Sequence, residues 1–126
     1  MTNRNTARLG VPAGCAALVF VTVLACGCGS SPASSAASAN QHACQQVSAV
    51  LSDGPDPGAD PVGYAEAQIL PLRQIGTADP ALRAAIGQLA DAYQQFFASD
   101  GESNSAKQAV AAASQRLNSI CPGAAA

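Results

Sequence analysis

The chain predicts an all-α fold, a small four-helix up-and-down bundle closed by one disulfide and preceded by an export signal and a disordered tether. Three observations carry this reading. Between Ala43 and Cys121, apolar residues recur at helical spacing with little β-branched alternation and abundant Ala, Leu and Gln. The pairs Asp60-Pro61 and Asp79-Pro80 each place an N-cap residue before a proline suited to the first helical position. Cys44 and Cys121 flank the folded stretch, and a bundle with an even number of helices brings its two ends to one pole.

Each element has its own signal. The first helix is expected from Ala43 to about Asp53, with Cys44, Val47, Val50 and Leu51 on one face and a stop at Gly54. A loop dense in Pro, Gly and Asp follows. The second helix opens at Pro61, with Val62, Ala65, Ile69, Leu72 and Ile75 inward; Pro71 predicts a kink or break near Gln68 to Leu70. The third helix runs from Pro80 to about Ser99, and its Leu82, Ile86, Leu89, Tyr93 and Phe96 form the clearest amphipathic stripe in the chain. Asp100-Gly101 ends it. Ser105 with Gln108 reads as a capping box for a fourth helix that buries Ala106, Val110, Ala113, Leu117 and Ile120, and Pro122-Gly123 stops it. The helical domain is thus 42–122, and 123–126 is a disordered tail.

An Ala-rich core of this size is marginal, and small exported domains are usually stapled. A Cys44–Cys121 bridge would close a long loop, worth about 4–5 kcal/mol in the chain-entropy model. The mature domain contains no Cys-x-x-Cys motif, which leaves little support for a redox or metal pair.

Upstream, Arg4 and Arg8 precede an apolar run from Ala16 that ends in small residues and cysteine at Ser31. The run is short for a transmembrane helix and suits a secretory signal. The two arginines are not adjacent, so no twin-arginine signal is present. Val23-Leu24-Ala25-Cys26 and Ala25-Cys26-Gly27-Cys28 both resemble the lipobox of bacterial lipoproteins. That resemblance implies a lipoprotein signal peptide over 1–25 and a diacylglyceryl group on Cys26, with Cys28 as the alternative. The protein would then be exported and lipid-anchored on the outer face of the cell membrane. Two acyl chains suffice for stable attachment. Residues 26–41, rich in Ser and Ala and without periodicity, read as a flexible tether with a reach of roughly 20 Å.

Composition narrows the function classes. From Cys26 onward the chain holds four basic residues (Arg73, Arg83, Lys107 and Arg116) against eight acidic ones. No basic cluster is present to hold nucleic acid or anionic head groups. His42 is the single histidine, and with Cys44 it supplies too few ligands for a metal site and too poor a base for a catalytic triad. Asp53, Asp56 and Asp60 depart from calcium-loop spacing and suit caps and turns. Neither an enzyme nor a bound metal or cofactor is expected. The aromatic residues of the mature domain (Tyr64, Tyr93, Phe96 and Phe97) should gather at the pole away from the disulfide. There they could pack as one core layer, or line an apolar crevice with Val50, Leu51 and Val110 for a hydrophobic ligand or partner. Phe96 and Phe97 are adjacent, so both cannot point at one core line.

Signal, lipobox, Ser/Ala tether and a Cys44…Cys121 helical domain together resemble the small Ala-rich cell-envelope lipoproteins of actinobacteria, of the mycobacterial type. A weaker likeness is to haemophore-like proteins, which would imply haem binding with Tyr64, Tyr93 or His42 as axial ligands. The leading expectation is a non-enzymatic lipoprotein whose helical domain binds another envelope component. A carrier of haem or lipid is the alternative, and an accessory subunit of an export or import complex a third.

Overall fold

The computed structural model describes residues 32–125. Four helices make up the described chain: α1 (Pro32–Leu51), α2 (Pro61–Gln74), α3 (Pro80–Ala98) and α4 (Asn104–Ile120). Among the described residues there is no strand. The order is up-and-down, and α2–α3 and α3–α4 are the closely packed pairs.

The caps explain where the helices begin. Asp60 accepts from the backbone N–H of Gly63 at 2.8 Å, and Pro61 takes the first helical position. Asp79 does the same for α3, accepting from Ala81 at 2.8 Å and Leu82 at 3.1 Å. The cap of α4 is Ser103, which accepts from Ala106, rather than the expected Ser105; Ser105 lies inside the first turn and bonds to the Ser103 hydroxyl. Pro71 does not break α2. It sits in the last turn, where the single hydrogen bond it removes would have reached the carbonyl of solvent-facing Ala67.

The end of α3 is tighter than its sequence suggests. Asp100 takes a left-handed conformation (φ 51°), and its N–H donates to the carbonyl of Phe97 while that of Gly101 donates to Phe96, each at 3.0 Å. These two bonds form a Schellman ending, with Asp in the position that glycine usually fills.

The core follows the stripe of α3: Leu82, Ala85, Ile86, Leu89, Ala90 and Tyr93 are buried, against Ala65 and Leu72 of α2 and Ala113 and Leu117 of α4. From α1, Ala43 and Val47 are buried and Val50 and Leu51 pack at the edge. Val62, Ile69, Ile75, Val110 and Ile120 are only partly buried, so α2 and α4 bury less of their expected faces than α3 does. The disulfide joins Cys44 to Cys121 with their Cα atoms 5.5 Å apart, which fixes α1 to the end of α4 as the parity of the bundle requires.

Two boundaries differ from expectation. The segment read as a disordered tether over 26–41 is helical from Pro32 onward. Alanine is the best helix former, proline fits the helix start, and the docked half of α1 supplies the nucleus that an isolated Ala/Ser segment lacks. Asn40 anchors this stretch by donating to the Asp79 carboxylate at 2.7 Å. Residues 26–31, the signal over 1–25, and the lipidation candidates Cys26 and Cys28 lie outside the described residues. The tail read as disordered over 123–126 is tied down as far as Ala125. The side-chain amide of Asn118 donates to the Ala125 carbonyl at 2.7 Å and accepts from its N–H at 2.9 Å, and Ala124 is buried.

Candidate functional site

The connections place one pole of the bundle at the α1–α2 and α3–α4 turns and the other at the disulfide and the α2–α3 turn. Tyr64 lies in the first turn of α2, and Tyr93 and Phe96 in the last turns of the antiparallel α3, so all three meet at the first pole, as the helix spacing requires. The two tyrosine rings pack edge to face, with centroids 5.9 Å apart and an interplanar angle of 83°. The Tyr64 hydroxyl donates to the carbonyl of Leu51 at 2.7 Å and thereby closes the exposed end of α1.

A crevice of about 280 Å³ opens over this pair. Pro57 and Pro61 form one wall, Phe96 and Val110 the other, and Lys107 stands at the rim. Burial pushes the Tyr93 phenol well above its ordinary range, and the neighbouring Tyr64 adds to the shift. The shift favours the neutral phenol, the form that packs against the neighbouring ring.

The structure does not bring every expected residue into the crevice. Phe97 follows Phe96 by one position, turns outward and is 38% exposed. Val50 faces a separate hollow of about 140 Å³ with Gln68 and Pro71, and Leu51 contributes only its carbonyl to the site. His42 is exposed on α1 beside the disulfide, at the opposite pole from the tyrosines.

Besides Lys107, whose charge marks only an exposed helix face, three contributors escape sequence reasoning. Pro57 and Pro61 carry turn and helix-start signals that account for them fully, so nothing marks them as walls. Gln68 looks like a surface residue but is 2% exposed, and its amide donates to the carbonyl of Asp53 at 2.6 Å. It falls three residues after Ala65 and four before Leu72, on their face, and that position was the available signal. Gln68 ties the α1–α2 connection, and with it the proline wall, to the body of the bundle.

Among the described residues no group of three or more metal-ligating side chains gathers, and no helix is long and apolar enough to cross a membrane. No family model, curated protein or solved structure matches the chain.

Proposed function

We propose that this protein is a non-enzymatic, lipid-anchored component of the cell envelope whose helical domain docks another envelope component at the tyrosine crevice. The observation that carries the proposal is the placement of that crevice. It is an apolar hollow walled by proline and aromatic side chains, at the pole opposite the one from which the start of α1 leads back to Cys26 and Cys28. Anchoring through either cysteine would leave the crevice facing away from the bilayer. The ionisable side chains that line it are Tyr64, Tyr93 and Lys107, beside the apolar Pro57, Pro61, Phe96 and Val110.

The alternative, a haem or lipid carrier, has less support. The crevice is at the lower edge of the roughly 300–1,000 Å³ range of small-molecule sites. Tyrosine binds haem iron as a phenolate, which the burial of Tyr93 opposes. His42 lies at the far pole.

The test uses the full chain in its own envelope, with a photo-crosslinking side chain at Val110 and, as control, at Arg83 beside the opposite pole. The proposal expects a discrete adduct from Val110 alone, lost when Phe96→Ala is added. Equal adducts from both positions, or none, would refute it. Mass measurement of the same material should show a diacylglyceryl group that disappears in Cys26→Ala (or in Cys28→Ala). A Soret band on haem addition that depends on Tyr93 would favour the carrier instead.

A further inference from the structure

The charge of the domain is divided between its poles, and the division bears on what the crevice can accept. Asp53, Asp56 and Asp60 lie on the α1–α2 connection, and Asp100 and Glu102 on the α3–α4 turn, all exposed. None of the five lines the crevice, but the two connections that carry them lie at its pole, where the single cation among the described residues is Lys107, in the crevice lining itself. The other three basic residues lie elsewhere. Arg73 is paired with Asp91 at 3.0 Å on the flank of α2 and α3, Arg83 bonds to the Thr77 carbonyl beside the α2–α3 turn, and Arg116 is near the end of α4.

The acidic groups are held in place. Asp56 precedes Pro57 in the chain and Asp60 precedes Pro61, so two acidic residues are the immediate chain neighbours of the proline wall. Asp56 accepts from the N–H of Gly58 at 2.8 Å, Asp60 caps α2, and the carbonyl of Asp53 is gripped by Gln68. The Schellman ending sets Gly101, the residue between Asp100 and Glu102, against Phe96, since a Cβ on Gly101 would lie 3.0 Å from the Phe96 ring. An apolar hollow at a pole with a surplus of negative charge attracts cations and repels anionic lipid surfaces.

We infer that the crevice receives a cationic polypeptide segment, an apolar or prolyl anchor residue flanked by lysine or arginine, from a partner protein. This rests on the docking function proposed above and specifies its partner. The anchor packs between Pro57, Pro61 and Phe96, and edge-on against the tyrosines. Its basic neighbours face Asp56, Asp60, Asp100 and Glu102. Lys107 is the one side chain that opposes such a segment, so its removal should strengthen binding. A purely structural lysine would have no such effect.

The test uses the full chain in non-ionic detergent and a short peptide with a central Trp-Pro between lysine pairs. Two twins carry glutamate or glutamine in place of the lysines. The lysine peptide should bind and shift the amide resonance of Val110, and raised salt should weaken it. Reversing one rim charge should change its affinity about tenfold, tighter for Lys107→Glu and weaker for Glu102→Lys. Both positions are exposed, so both variants should fold. Equal or tighter binding of either twin, or no change in Lys107→Glu, would overturn the cationic partner and leave the docking site standing. Failure of all three peptides would also overturn it, and would reach the docking function only if the Val110 crosslink failed as well.

Discussion

Replacing Cys44 and Cys121 together by alanine should cost the domain a large part of its stability. The bridge spans a sequence separation of 77 residues. The loop-closure relation gives about 4.5 kcal/mol for a ring of that length. At about 0.05–0.15 kcal/mol per residue, a domain of this size holds roughly 5–14 kcal/mol in total. The structure also says where the loss should fall. α1 contributes only Ala43 and Val47 to the fully buried core, whereas α3 packs closely on both α2 and α4. Without the bridge, α1 keeps those two residues, the Asn40–Asp79 hydrogen bond and the Tyr64–Leu51 hydrogen bond. Urea unfolding followed by helical circular dichroism should show the midpoint fall and the slope steepen, because the unlinked chain exposes more surface when it unfolds. The melting temperature should fall by roughly 20–35 °C. Amide exchange should show α1 opening before the other three helices. A loss below about 1 kcal/mol, or α1 amides as protected as those of α3, would refute the view that the bridge secures this helix.

Three smaller perturbations test other parts of the frame. Gly101→Ala places a Cβ at φ +71° against Phe96 and Val62, and should destabilise by about 1–3 kcal/mol in the same urea assay. Gln68→Leu leaves the Asp53 carbonyl without its partner and should cost about 1–3 kcal/mol, with faster proteolysis of the α1–α2 connection. Asp79 is held below the ordinary carboxylate range by the N–H groups of Leu82 and Ala81 and then by Asn40. Its contribution is therefore full above the unfolded-state value near pH 4 and is lost as the pH falls through the lower folded-state value. The stability difference between the parent and Asp79→Asn should be constant near neutrality and shrink only in acid; a difference that instead shrank near pH 7 would contradict this.

The helices were legible because local chemistry and tertiary packing agree along most of the chain. The stripe from Leu82 to Phe96 sets the core, and Asp60 and Asp79 cap where their Asp-Pro pairs indicate. The cysteine pairing followed from the placement of Cys44 and Cys121 at the ends of the helical stretch together with helix parity. What escaped notice depends on contacts distant in sequence or on neighbouring structure. Residues 32–41 lack any apolar rhythm, so nothing local shows that a docked helix continues back through them. Asn118 gives no sign that its amide will pair twice with Ala125. At the site, the meeting of Tyr64, Tyr93 and Phe96 could be counted from the α2–α3 turn, but the proline wall could not, because the path of the α1–α2 connection is set by contacts such as Gln68 to the Asp53 carbonyl that no helical spacing reveals.

The backward extension of α1 has a mechanical consequence. A Ser/Ala coil over that stretch would let the domain wander in a volume set by chain statistics, with every orientation sampled. A helix from Pro32 to Cys44 is instead a lever about 18 Å long, joined rigidly through the disulfide to the end of α4. For a chain attached upstream of Pro32, the crevice would sweep a thin shell at nearly fixed distance from the start of α1 instead of filling a ball. Confinement of that kind raises the effective concentration of the site for a partner whose docking segment lies at that radius, and lowers it for one held close to the point of attachment. The length of one helix would thereby select partners by how far their docking segments stand from that point.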